Sequence, residues 1–159
     1  ESKRIELAQP AMLQDLQRVA AELAELAPAA GELRLIGRRH VRSNNSWMHN
    51  APRLVKGKPR HQLLMHPDDL ARHGLADGAR VRVSSAVGSI ETDAVASDEV
   101  MPGVACLPHG FGHDRPGTRM ARAEVVAGAS YNDLSDPAAL DGPSGNAALN
   151  GLAVTVAPA

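Results

Sequence analysis

Ala79-Arg80-Val81-Arg82-Val83-Ser84 and, beyond Ser85-Ala86-Val87-Gly88, Ser89-Ile90-Glu91-Thr92-Asp93-Ala94-Val95-Ala96 alternate aliphatic or β-branched residues with polar ones. Alternation of that kind puts successive side chains on opposite faces of an extended chain, so each run reads as a strand with one face to water. The Val87-Gly88 turn signal between them predicts that the two strands pair and bury Val81, Val83 and Ile90. Working outward, Leu33-Ile36, Gln62-Met65, Val104-Leu107 and Leu152-Val156 give further short strands, set apart by Asp77-Gly78, Pro102-Gly103 and Asn150-Gly151. Helical signals are few. Pro67-Asp68-Asp69-Leu70-Ala71-Arg72-His73-Gly74 has acids in its first turn, basic residues in its last and Gly at its end, which predicts two turns. Pro10 followed by Leu13, Leu16, Ala20, Leu23 and Ala27 predicts an amphipathic helix of about four turns, stopped at Pro28 to Gly31. Many short strands around few helices imply a mainly β domain, a barrel or a sandwich.

At 159 residues and 43% hydrophobic, the chain is long enough for one domain that buries roughly 70% of its unfolded surface. The lone Cys106, in the apolar run Val104-Ala105-Cys106-Leu107, has no partner for a disulfide and reads as a small buried hydrophobe. No window approaches the roughly 18 apolar residues of a membrane span, and Glu1-Ser2-Lys3-Arg4 has neither a secretory h-region nor an initiating Met. The expectation is a cytoplasmic protein with no membrane insertion, and a chain that is part of a longer one.

Charge is distributed unevenly. Leu33 to Pro67 holds eight Lys or Arg and no Asp or Glu, in a protein of formal net charge −1. Within it lies Gly37-Arg38-Arg39-His40-Val41-Arg42-Ser43-Asn44-Asn45-Ser46-Trp47-Met48-His49-Asn50, which combines guanidinium forks, hydroxyls, amides and the only Trp. Those groups suit a phosphorylated heterocycle: bidentate contacts for phosphate, donor and acceptor pairs for a ring edge, an aromatic face. A second constellation, Leu107-Pro108-His109-Gly110-Phe111-Gly112-His113-Asp114, follows a strand; its glycines argue against a helical His pair binding metal and favour close backbone approach to a flat ligand. A third is Ser130-Tyr131-Asn132-Asp133-Leu134, where Asn132 could read a purine or pterin edge or simply close a turn. Trp47, Phe111 and Tyr131 all sit in polar segments, a placement that points to ligand-facing roles, with capping of the core as the alternative. Phosphate loops, dinucleotide-fold glycine patterns and nucleophile elbows are absent. The residues alone lead to a β domain that binds an anionic heterocycle.

Taken in order, these pieces resemble the C-terminal molybdopterin-dinucleotide-binding domain of the molybdopterin oxidoreductases, the group containing formate dehydrogenases, periplasmic-type nitrate reductases and their relatives. Gly37 to Asn50 resembles its first cofactor segment in formate-dehydrogenase-like members. His66-Pro67-Asp68-Asp69-Leu70-Ala71, Gly74-Leu75, Asp77-Gly78 and Val81-Arg82-Val83 resemble its helix and strand, and Met101-Pro102-Gly103, Pro108 to His113, Asn132-Asp133-Leu134 and Ser144-Gly145 complete the series. The resemblance implies a double-psi β-barrel over residues 33–159, with residues 1–32 a helix and linker from a preceding domain. It implies that Gly37, Arg38, Arg39, Ser43, Asn44, Asn45, Trp47, His49, His109, Gly110, Phe111 and Asn132 grip the pterin and pyrophosphate of a molybdopterin guanine dinucleotide carrying Mo or W. No catalytic residue and no metal ligand is expected in this chain. The iron–sulfur cysteines and the metal-ligating side chain of the family belong to domains outside it, and Cys106 matches neither. The expected partners are the remaining domains or subunits of the oxidoreductase, and the isolated chain is expected to be inactive. A stand-alone barrel subunit binding the same cofactor is one alternative; a nucleotide or nucleic-acid module is another, disfavoured by near-neutral net charge and few aromatics.

Overall fold

The computed structural model describes residues 3–23 and 29–159. The chain runs α1 (Pro10–Leu23), β1 (Glu32–Arg38), α2 (Pro52–Val55), β2 (Gln62–Met65), α3 (Pro67–Arg72), β3 (Arg80–Ser84), β4 (Ser89–Ala96), β5 (Val104–Pro108) and β6 (Leu152–Pro158), with short 3-10 turns at Ala123–Val126 and Tyr131–Leu134. Six strands close into a barrel in the order β1-β5-β2-β4-β3-β6. The β1–β5 and β2–β4 pairs are parallel and the other four are antiparallel. This is the double-psi barrel. Closure resolves the barrel-or-sandwich alternative, and it pairs both edges of each of the six strands.

The hairpin read from the alternating stretch forms as expected, in the register Val81↔Thr92 and Val83↔Ile90 around the Ser85–Gly88 turn. Val81, Val83 and Ile90 are buried, and they join Leu33, Leu35, Leu63, Met65, Ala94, Ala105, Leu107, Val154 and Val156 in one core. Burial alternates along β1, β2, β3 and β6, whereas β5 is buried at four consecutive residues, and each fully buried Val, Leu, Ile or Met side chain contributes roughly 1.5–3 kcal/mol.

At one end of the barrel, α3 follows β2 and seats Leu70 on the core. Its Asp69 is wholly buried; Oδ2 accepts from the Gly103 backbone N–H at 2.7 Å, and Oδ1 accepts from Arg72. The carboxylate thereby ties the helix to the turn that launches β5. Because a hydrogen bond to a charged group is worth about 1.5–3 kcal/mol, Asp69→Ala should destabilise the domain by about 2–3 kcal/mol, and Asp69→Asn, which keeps an acceptor, by less. Urea unfolding of the two variants checks this, and equal losses would contradict it.

The N-terminal helix forms from Pro10 as read, but none of its residues is buried: Leu13, Leu16 and Leu23 are all at least half exposed. Ala27 and Pro28, read as its end and stop, lie outside the described residues. Among the described residues, no helix is long and apolar enough to cross a membrane.

Candidate functional site

Strand directions decide which loops meet. β1 and β5 run parallel and in step, Gly37 beside Leu107 and Arg38 beside Pro108, so the segments that follow them leave the barrel together. β2 runs antiparallel to β5, and β4 parallel to β2. The loop entering β2 and the β3–β4 turn therefore open at that same end. All the candidate residues read from sequence lie there.

The segment after β1 folds as consecutive turns: Ser43 N–H donates to the His40 carbonyl, Met48 N–H to Ser43, His49 N–H to Ser46 and Ala51 N–H to Met48. Asn44 and Asn45 hold φ of 41° and 61°, the left-handed region that asparagine tolerates best among residues with side chains. The result turns Ser43 and His49 inward, at 1% and 2% exposure, and leaves Trp47 79% exposed. Two glycines let this segment and the one after β5 touch. A Cβ on Gly37 would sit 2.1 Å from His109 Nε2, and one on Gly110 would sit 2.4 Å from the Asn45 carbonyl oxygen. Gly37 N–H donates to Asn150 Oδ1, and His109 N–H donates to the Arg38 carbonyl.

Beneath the clasp is a cavity of about 320 Å³ lined by Ser43, His49, Arg60, His61 and Phe111 among others. The Phe111 ring lies between two imidazoles, 4.4 Å from His49 and 4.9 Å from His61. His61 is fully committed: Nε2 accepts from Ala129 N–H at 3.1 Å, so Nδ1 carries the proton, facing Thr92 Oγ1 at 3.2 Å. His49 Nδ1 lies 2.6 Å from His113 Nε2. Burial lowers the pKa of both His49 and His61, so both are neutral imidazoles at pH 7. Two buried polar atoms of the cavity residues, Ser43 Oγ and His49 Nε2, have no partner among the described residues. A neighbouring hollow of about 450 Å³ lies between Arg80 and Arg115, whose charges are paired, Arg115 with Asp133 and Arg80 with Glu91 in the lining and with Asp93 beside it.

The structure thus brings Gly37, Ser43, Asn45, His49, His109, Gly110 and Phe111 into mutual contact or into one cavity. Arg38 is half-buried and donates to the Gln62 carbonyl at 3.2 Å, whereas Arg39 is exposed. His109 packs at 3.9 Å on the Tyr131 ring, and Asn132, next in the same 3-10 turn, is exposed. Tyr131 itself corrects the ligand-facing expectation for the three aromatics: it is 1% exposed and part of the core, its hydroxyl donating to the Leu149 and Leu35 carbonyls. A polar neighbourhood in sequence did not reveal that a 3-10 turn drives its first residue under the barrel end. His61 was not among the candidates; its signal is Thr92, a hydroxyl at an inward position of a strand whose other inward residues are Ile90 and Ala94. Among the described residues, no three His, Cys, Asp or Glu gather to hold a metal ion.

Residues 33–153 match the family model of the molydopterin dinucleotide binding domain. A tetrathionate reductase subunit from Salmonella typhimurium is 34% identical over 118 residues, which is 64% of this chain and 12% of that protein. The molybdopterin-containing subunit of the arsenate respiratory reductase of Chrysiogenes arsenatis is 32% identical over 119 residues, 71% of this chain and 14% of that protein. Biotin sulfoxide reductase of Cereibacter sphaeroides is 39% identical over 83 residues, 51% of this chain and 11% of its own length. The chain therefore spans 11–14% of these relatives. The solved structure of acetylene hydratase from Pelobacter acetylenicus superposes with a TM-score of 0.67 at 21% identity, over 90% of this chain and 20% of that one, a likeness of fold.

Proposed function

Since the chain belongs to the molybdopterin dinucleotide-binding domain family, we propose that its clasped loops hold the pterin and pyrophosphate of a molybdopterin guanine dinucleotide in a cytoplasmic oxidoreductase. Residues 1–32 lead in from a preceding domain of that enzyme. The observation that carries the reading is the convergence of the Gly37–Asn50 and His109–His113 segments over a cavity with two buried, unpartnered polar atoms. The donor set fits the group: guanidinium and hydroxyl for pyrophosphate, amide and imidazole for a pterin edge. Bound, the cofactor with its Mo or W supplies the redox chemistry, and this chain's residues bind and orient it. Arg39, exposed beside the clasp, contributes charge; Asn44 and Asn45 contribute amides; Phe111 contributes a ring face. Iron–sulfur clusters and the groups that touch substrate belong to other domains, and the isolated chain turns over no substrate.

The enzyme is formate-dehydrogenase-like in its first cofactor segment. A reductase is the second reading, favoured by the three relatives whose names are those of reductases.

The test is retention of cofactor in the full oxidoreductase purified from its host. Arg39→Ala removes a charged donor, and Asn44→Gly removes an amide while keeping the left-handed backbone. Loss of one hydrogen bond to a charged group costs roughly 1.5–3 kcal/mol, about ten- to hundred-fold in affinity. Metal and guanine content should fall in both variants with unchanged thermal stability. Wild-type content in both would refute the assignment.

A further inference from the structure

We propose that Asn150 is a positioning residue of the clasp: its side-chain oxygen makes the last rung between β1 and the chain entering β6, and so holds Gly37 against His109. The effect on cofactor rests on the reading above; the placement itself rests on geometry.

β1 and β6 pair antiparallel from Glu32↔Thr155 to Leu35↔Leu152, and the same register would set Gly37 opposite Asn150. The ladder ends short of that pair, next to Gly151, whose φ of 77° lies in the left-handed region that a regular strand does not use. Gly151 N–H still donates to the Leu35 carbonyl at 2.9 Å. The next rung is made differently. Asn150 Oδ1 accepts from Gly37 N–H at 2.8 Å, a side-chain carbonyl where a continued ladder would use a main-chain one. An asparagine amide suits the task, because its oxygen is chemically the equivalent of a peptide carbonyl.

That rung acts at the tightest point between the two loops. A Cβ on Gly37 would lie 2.1 Å from His109 Nε2, and the His109 ring lies 3.9 Å from that of Tyr131. The Tyr131 hydroxyl donates to the Leu149 and Leu35 carbonyls. Leu149, Asn150 and Gly151 therefore bond in succession to Tyr131, Gly37 and Leu35, so that three consecutive residues brace the strand end and the ring on which His109 packs. On its other flank the end of β1 is held by β5, where His109 N–H donates to the Arg38 carbonyl at 3.1 Å. Gly37 has no side chain with which to anchor itself and the widest choice of backbone angles, so its placement depends on bonds from both flanks. Asn150 supplies one of them from a segment whose Asn-Gly pair reads in sequence only as a turn.

The test compares Asn150→Ala, which removes the acceptor, with Asn150→Asp, which keeps an oxygen at the same reach, in the full oxidoreductase purified from its host. Hydrogen exchange at the Gly37 amide should be about five-fold faster in Asn150→Ala, as for the loss of one ordinary hydrogen bond, and should return to the wild-type rate in Asn150→Asp. Exchange at the Arg34 amide, which bonds to the Gly103 carbonyl in the same strand, should not change. Guanine content should fall in Asn150→Ala and recover in Asn150→Asp. Three results each overturn the proposal: a Gly37 amide as slow in Asn150→Ala as in wild type, Gly37 and Arg34 loosened together, which would make Asn150 a contributor to barrel stability alone, or guanine lost equally from both variants. Should Asn150→Ala fail to fold, Asn150→Leu, which keeps the bulk without the acceptor, takes its place. Guanine kept on Asn150→Ala, in an enzyme that Arg39→Ala strips of guanine, sinks the positioning role and spares the proposed function; guanine kept on Arg39→Ala and Asn44→Gly, but lost on Asn150→Ala and restored by Asn150→Asp, does the reverse.

Discussion

Tyr131→Ala is expected to remove about 3–5 kcal/mol, the range for deleting a large buried aromatic side chain, and to leave the barrel close to its folding limit. The ring fills the loop end of the core, 1% exposed and stacked at 3.9 Å on His109, so nothing nearby can collapse into its place without uncovering the His109 face. The hydroxyl adds a smaller share. Tyr131→Phe, which strands the Leu149 carbonyl but keeps the ring, should cost about 1 kcal/mol. Urea unfolding followed by circular dichroism measures both; Trp47 is too exposed for its fluorescence to report on the core. A loss below about 1 kcal/mol for the alanine variant would show that Tyr131 is not the plug described.

Acidification supplies the second large effect. Burial, with Arg39 adding repulsion, pushes His109 down from 6.5 to about 4. Between those values the unfolded chain binds a proton that the folded one refuses, so stability rises with pH across the window: it is fully present above 6.5 and lost as the pH falls towards 4. The span corresponds to about 3 kcal/mol from His109. His49 and His61, lowered chiefly by burial, act in the same direction, and a protonated His61 could no longer accept from Ala129 N–H. The urea midpoint should therefore drop steeply between pH 6.5 and 4. His109→Gln should show a shallower drop; an identical slope in that variant would remove His109 from the account.

The sequence disclosed the strands because their chemistry is local. Val81, Val83 and Ile90 declare an inward face by alternation alone, and Pro67 with Asp68 and Gly74 declares the start and end of α3. Closure into a barrel was not legible in the same way, since a sandwich strand alternates identically and the difference lies in pairings such as Arg34 with Val104. The candidate site divides similarly. Its composition was plain in Gly37 to Asn50, but which residues turn inward depends on two asparagines adopting left-handed backbone, and that choice buries Ser43 and His49 while exposing Trp47. His61 escaped notice because its role depends on Thr92 and Ala129, partners distant in sequence. Conversely, the helical spacing of Leu13, Leu16 and Leu23 was legible and correct as periodicity, although the barrel covers none of them.

The place of β6 in the barrel fixes an order of events during synthesis. β6 joins β1 to β3, and the Gly37 N–H that anchors the loop end bonds to Asn150, 113 residues further along the chain. Contacts of such separation form slowly, because the entropy of closing the intervening chain is lost before any of them stabilises the fold. Until Pro158 has left the ribosome, the inward rows of β1 and β3 each lack a neighbour and stay open to chaperones or to other nascent chains. The Gly37–Asn150 bond at the loop end is thus one of the contacts that close only when the segment leading into the last strand is in place.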